Sequence, residues 1–173
     1  MQVSVEKKMM SKSFNYIRLF EIILVVFFLV LFDQCTKIYI SKVMLNNNFN
    51  DIKLLPLLNL VFVRNTGISF GMFSEGGLLG RYFFSTFSTI VGSFLVVLAF
   101  LSEKKLLCIS LSLVAAGALG NAIDRIYFGG VIDFIDFFIY NFHWPAFNFA
   151  DIFITLGVVI LLFDNIFYKK NET

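Results

Sequence analysis

Four long apolar stretches divide the chain, at 17–41, 78–101, 106–126 and 149–167. About 20 apolar residues are needed to cross a bilayer, so each stretch predicts a transmembrane helix. Basic residues sort around them. Lys7, Lys8, Lys12 and Arg18 lie at the start, Lys104 and Lys105 between the second and third stretches, and Lys169 and Lys170 after the fourth. With four spans all eight fall on one side, and cytoplasmic segments carry the excess of Lys and Arg. This places both termini and the 102–105 turn in the cytoplasm, and the long connections 42–77 and 127–148 outside. A basic start before an apolar run also fits a signal peptide. The run over 22–40 ends in no small-residue cleavage site, so it is expected to stay as a helix. In the first outer connection, 46–51 (NNNFND) is a turn cluster, and 52–64 around Pro56 is strand-like. The expected architecture is an all-α membrane protein with four transmembrane helices, a small extracytoplasmic β-like surface segment and an outward-facing loop or helix over 127–148. It forms one domain over 1–173, with no internal repeat.

Composition agrees with this pattern. The chain is 58% apolar and 15% charged, with a mean hydropathy of +0.83. Soluble domains have about 45–50% apolar and roughly 25% charged residues. The 24 Phe suit lipid-facing helices. The net charge of +2 comes with no basic run interleaved with aromatics, so nothing points to nucleic acid. Cys35 and Cys108 sit in apolar runs with neither metal nor disulfide spacing, and both are expected to be small buried hydrophobes.

Against this background one stretch stands out. Residues 120–151 read GNAIDRIYFGGVIDFIDFFIYNFHWPAFNFAD and carry Asn121, Asp124, Arg125, Asp133, Asp136, Asn148 and Asp151. Ionisable groups in or beside membrane-buried helices are costly and suggest a functional site. Asn121, Asp124 and Arg125 stand at i, i+3 and i+4, on one helical face. Gly117 and Gly120 near that face allow close approach of another helix. A carboxylate beside a guanidinium stays ionised, so Asp124 fits a structural clamp with Arg125 or a cap on a neighbour. Asn121 and Arg125 look like donors to a substrate backbone. Asn148 and Asp151 open the fourth span, where either can cap the helix.

Two carboxylates brought together in a dry place are a different device. They cannot both ionise, so one holds a proton while the other acts as a base. Such a dyad activates water against a peptide carbonyl without metal or cofactor. Spacing leaves the pair open: Asp133 with Asp151, Asp136 with Asp151, or Asp124 with Asp133. In the first span Asp33 and Lys37 stand at i and i+4, as expected of a neutralising pair.

Other chemistries are weakly supported. Residues 67–71 match the G-x-S-x-G pattern of serine hydrolases, but that motif needs a strand–elbow–helix context and a His partner. The one His, His143, sits beside Trp144 and Pro145 and reads as an interfacial residue. No metal-binding signature occurs.

The polar blocks together resemble the lipoprotein signal peptidases, also called prolipoprotein or type II signal peptidases. DQCTK at 33–37, RNTGISFGMF at 64–73, GNAIDR at 120–125 with VIDFIDF at 131–137, and FNFAD at 147–151 occur in the family's order. The resemblance covers nearly the whole chain. It implies a four-helix enzyme of the bacterial inner membrane whose periplasm-facing site cuts a prolipoprotein just before its diacylglyceryl-modified Cys. The implied aspartyl dyad falls on Asp133 and Asp151. Substrate contacts fall on Asn65, Asn121, Arg125 and Asn148, and supporting roles on Asp33, Lys37, Gly67 and Asp124. No cofactor or metal is implied. The partners are the prolipoprotein substrate and membrane lipid, and the chain is expected to act as a monomer. Ser69 departs from the family's usual Ala, and Cys35 falls at a variable position.

Two other classes compete on sequence grounds. A small proton-coupled carrier would use the same carboxylates as a relay, but it would prefer acids near mid-span and inverted repeats with broken helices. A non-catalytic membrane scaffold has no need for a carboxylate pair.

Overall fold

A computed structural model describes residues 2–67 and 77–169, with side chains over 16–67 and 78–166. The element order is α1 (Gln2–Asn46), β1 (Ile52–Leu55), β2 (Leu58–Asn65), α2 (Gly77–Leu101), α3 (Lys105–Phe128), β3 (Val131–Ile139), β4 (Phe142–His143) and α4 (Phe149–Lys169). Among the described residues three helices are long and apolar enough to cross a membrane: Leu78–Leu101, Lys105–Phe128 and Phe149–Ile166. Most of the large hydrophobics on α2 and α4, such as Phe83, Phe87, Phe94, Leu162 and Phe163, are exposed. That inverts the soluble pattern and suits a lipid solvent. Of the four expected spans, α1 is therefore the one whose membrane role rests on the bundle it joins.

α1 runs well beyond the expected 17–41. Among its described side chains the buried ones are Ile22, Val26, Asp33, Lys37 and Met44, a stripe at helical spacing that faces the other helices. Cys35 lies two residues from Asp33 and two from Lys37, about 200° round the helix from each. It is exposed, not buried as its apolar run suggested. Cys108 is half-buried. At one end of the bundle Ile22 and Val26 pack with Ala99, Leu111 and Ala116. At the other, Met44 packs with Leu60 and Phe134, joining the end of α1 to the sheet.

α3 is central and meets its neighbours through small residues. A Cβ on Gly120 would come within 2.8 Å of the Asp33 carboxylate, and one on Gly117 would strike the Ala150 carbonyl of α4. The glycines therefore set how closely α1 and α4 approach.

The strands form one antiparallel sheet in the order β1-β2-β3-β4. The 46–51 cluster forms its turn with Asn48 and Phe49 at positive φ, closed by reciprocal side-chain bonds between Asn47 and Asn50. Pro56 sits between β1 and β2. The segment 127–148, expected as a loop or helix, is instead the end of α3 followed by β3 and β4. Gly129 decides this: it takes a left-handed φ of 74° and its N–H bonds the Arg125 carbonyl, a helix stop that glycine adopts at little cost. The β-branched and aromatic run that follows then pairs with β2.

Candidate active site

The site forms where β2, β3, the C-terminal end of α3 and the start of α4 meet. A cavity of about 950 Å3 is lined by Asn65, Asn121, Arg125, Asp133 and Asp151 among others, with Trp144, Pro145, Ala146 and Phe147 on one wall.

Asp133 and Asp136 lie three residues apart in β3, so their side chains leave opposite faces of the strand. β2 matches this. Its register slips by one residue between Leu60 and Val63, which is a bulge. A bulge turns the residues beyond it to the other face. Asn59, before the bulge, donates to Asp136 at 3.0 Å. Asn65, after it, donates to Asp133 at 3.2 Å. Of the three pairings that composition allowed, the fold brings Asp133 and Asp151 to one cavity. It directs Asp136 to Asn59 and to His143, whose Nδ1 lies 2.9 Å from both Asp136 oxygens.

The two cavity carboxylates are held by amides. Asn148 Nδ2 donates to Asp133 Oδ1 at 2.6 Å, and Asn121 Nδ2 donates to Asp151 Oδ1 at 2.9 Å. Asn148 and Asp151 also form a reciprocal capping box. The Asn148 N–H donates to Asp151 Oδ2 at 3.1 Å and the Asp151 N–H to Asn148 Oδ1 at 3.0 Å. Capping thus occupies one Asp151 oxygen and fixes the carboxylate at the cavity edge; it does not compete with a chemical role. Among the described residues neither Asp133 nor Asp151 has an ion-pair partner. Burial, then the neighbouring Asp151 charge, pushes the Asp133 carboxyl up from 3.8 to about 7, against the pull of the Asn65 and Asn148 hydrogen bonds.

A second carboxylate pair lies deeper. Lys37 Nζ sits 2.8 Å from Asp33 and 2.7 Å from Asp124, with all three side chains no more than 1% exposed. Asp124 therefore clamps Lys37, and not Arg125 as its sequence neighbour suggested. Adjacent residues on a helix point about 100° apart. Asp124 also accepts from Gln34 Nε2 at 2.8 Å and from the Ile132 N–H at 3.2 Å, which ties α3 to the start of β3. Asp33 Oδ1 accepts the Ala150 N–H at 2.9 Å, satisfying an orphan donor at the start of α4. Lys37 Nζ donates on to Asn121 Oδ1 at 3.0 Å, so Asn121 joins the two pairs.

Arg125 lines the cavity. It donates from Nη2 to the Gly67 carbonyl at 3.2 Å and from Nη1 to the Asn121 carbonyl at 3.3 Å, and its buried Nε has no acceptor among the described residues. The Gly67 N–H donates to Asn65 Oδ1 at 3.1 Å. Ser69, and with it most of the G-x-S-x-G match, lies outside the described residues.

Sequence reasoning passed over Gln34, Asn59 and the His143 contact with Asp136. Gln34 carried a usable signal, being an amide beside Asp33 inside an apolar span. The other two needed the register of the sheet.

A sequence model described as Signal peptidase (SPase) II matches residues 25–167. The chain belongs to the signal peptidase II family. A lipoprotein signal peptidase of Thermodesulfovibrio yellowstonii is 43% identical over 150 residues, covering 87% of this chain and 97% of its own. That of Pelagibacter ubique is 39% identical over 154 residues, covering 88% and 89%. A bacterial membrane enzyme solved by the in meso method at 2.3 Å resolution superposes with a TM-score of 0.72. It is 31% identical and covers 88% of this chain and 92% of its own. A second, at 1.9 Å, gives a TM-score of 0.68 at 35% identity, with 83% and 90% covered. The site described above thus lies in a membrane-associated signal peptidase II.

Proposed function

We propose that the chain is an aspartyl endopeptidase of the bacterial inner membrane. It removes the signal peptide from diacylglyceryl-modified prolipoproteins, cutting just before the lipid-modified Cys. It acts as one domain, with α1 as a fourth span, both termini cytoplasmic and the site outside. Its relatives are named lipoprotein signal peptidases, and eight of its fourteen basic residues, those of the start, the 102–105 turn and the tail, fall on the side that the positive-inside rule makes cytoplasmic. One observation carries the catalytic reading: Asp133 and Asp151 border one cavity, held by asparagine amides and by no cation among the described residues.

In this reading the dyad shares one proton. Asp133, pushed up to about 7, holds it and hydrogen-bonds the scissile carbonyl oxygen. Asp151 takes a proton from water as the water oxygen attacks the carbonyl carbon. A proton then passes to the leaving nitrogen and the C–N bond breaks. The signal peptide leaves with a new carboxyl group, and the lipid-modified Cys keeps a free amine. The proton exchanges between the two carboxylates, so the pair titrates as a unit. Asn65, Asn121, Arg125 and Asn148 hold the carboxylates and the substrate backbone in a reactive pose. Gly67 keeps Asn65 and Arg125 in place, while Asp33, Lys37 and Asp124 hold α1, α3 and α4 together behind them.

The direct test is incubation of a purified diacylglyceryl-modified prolipoprotein with the wild-type protein in detergent or lipid, read as a gel shift. Cleavage at the bond before the modified Cys supports the reading. Intact substrate, under conditions where a known family enzyme cuts it, overturns it.

A further inference from the structure

On the side of α3 away from the catalytic cavity lies a second groove. It has a volume of about 440 Å3 and is almost wholly apolar. Ile23, Val26 and Val30 of α1, Thr89 and Val96 of α2, and Ala122 and Ile126 of α3 are among its walls. Two arginines lie just beyond its Ile126 end. Arg81 Nη2 donates to the carbonyl of Ile126, itself a groove residue, and Arg81 Nε donates to the Arg125 carbonyl at 2.8 Å. Arg64, reaching over from β2, donates to the Phe128 carbonyl. Both guanidinium groups crowd Gly129, where an added Cβ would meet each of them. Among the described residues neither arginine has a carboxylate within ion-pairing distance. The carbonyl end of α3 offsets only part of the charge, since a helix C-terminus carries roughly half a negative charge.

Arg81 belongs to the same helical stripe as the groove. Ser85 and Thr89 follow it at successive i+4 steps, each bonding the carbonyl one turn back. Thr89 thus stands about 12 Å along α2 from Arg81. A guanidinium pair at one end and a hydrocarbon-lined channel running away from it match a phospholipid: phosphate on the arginines, acyl chain along the groove. The reading rests on the membrane placement proposed above, which puts the arginines at headgroup depth. Both arginines cap the last carbonyls of α3, and the charge that this cap leaves over is what a bound phosphate would neutralise.

We propose that the α1–α2–α3 groove, with Arg81 and Arg64 beyond its Ile126 end, is a binding site for an anionic phospholipid; Arg64 also lines the peptidase cavity, but the acyl-chain groove lies outside it. The bound lipid fills the gap between three helices and neutralises the arginine pair that closes α3.

The test is native mass spectrometry of the detergent-solubilised protein, loaded in turn with phosphatidylglycerol, phosphatidylcholine and inorganic phosphate. Retention of phosphatidylglycerol over phosphatidylcholine is expected. Loss of one arginine should weaken it roughly fivefold, from the usual contribution of a basic residue to anionic-lipid binding. Arg64→Gln and Arg81→Gln test the headgroup half, and Arg81→Lys should restore part of the preference. Val30→Trp tests the acyl half by filling the groove without touching the α3 cap, and should also lower retention. Equal retention of the two lipids overturns the proposal. So does retention unmoved by Val30→Trp, or inorganic phosphate held as well as the lipid, since either outcome describes a surface anion site only. Should the Gln variants not fold, the lipid preference of the wild type and the Val30→Trp result still decide it. Cleavage by the wild-type protein is measured alongside. A protein that keeps the lipid but does not cut separates this site from the peptidase reading.

Discussion

Two pairs of aspartates sit within one bundle and share Asn121, yet they are built for opposite ends. Asp33 and Asp124 flank Lys37 at 2.8 and 2.7 Å and are wholly buried. Asp133 and Asp151 border an open cavity and receive only amide hydrogens. A cation between two carboxylates lets both ionise and makes a rigid joint. Amides form no ion pair with either acid, and on the proposed reading the second carboxyl stays protonated. On that reading, the difference between a joint and a reactive pair is the identity of the group placed between the acids. Asp136 is a third case: as buried as Asp133, but on the opposite face of the strand and engaged by Asn59 and His143.

The sharpest way to break this comparison is to remove one proton-bearing oxygen from the cavity pair. Asp133→Asn and Asp151→Asn should each lower cleavage by about 10^3-fold or more, in keeping with the loss of a general acid or base. Both should keep the thermal unfolding profile of the wild type in detergent. Substantial activity in either variant would move the catalytic pair elsewhere.

For the deep pair the main effect should be on folding. Lys37→Met leaves two buried carboxylates without their cation and should destabilise by about 3–5 kcal/mol, seen as a lower unfolding temperature and a poor folded yield. Asp124→Asn should reduce folded yield as much as turnover. Wild-type stability with no cleavage in Asp124→Asn would mean that Asp124 belongs to the chemistry.

A pH series distinguishes the pairs without mutation. With Asp133 pushed up to about 7, the dyad loses its shared proton as pH rises through that value. The cleavage efficiency kcat/KM should then fall about tenfold per pH unit on the alkaline side. The stability term has the same sign. Between about 4 and about 7 the folded protein keeps a proton on Asp133 that the unfolded chain has released. The stabilisation from this group is therefore full below the unfolded value and fades as pH rises through about 7. Asp133→Asn should flatten that part of the stability profile.

The smallest effect belongs to Asp136→Asn. It should change cleavage by no more than a few fold and cost about 1 kcal/mol, the scale of a single hydrogen bond. A loss as large as that of Asp133→Asn would mean that the two faces of β3 are not chemically distinct.

Much of this was legible in the chain. Apolar runs of bilayer length placed α2, α3 and α4 to within a residue or two, because burial in hydrocarbon demands long uninterrupted helices whatever the tertiary contacts. The polar blocks marked the region of the site, since polarity is costly in such a context. The i, i+4 spacing put Asp33 beside Lys37, as any helix does. Three things were decided only by the fold. Gly129 ended α3 and let 131–139, expected within a loop or helix, pair as a strand. The bulge in β2 and the two-residue period of β3 then sent Asp133 towards Asp151 and Asp136 away from it. Packing of α1 against α3 gave Asp124 to Lys37 in place of Arg125. Each depends on which backbone lies across from which, and the sequence of one strand or helix does not carry the register of its partner. Composition alone therefore supplied the acids, while pairing between distant segments determined which of them meet.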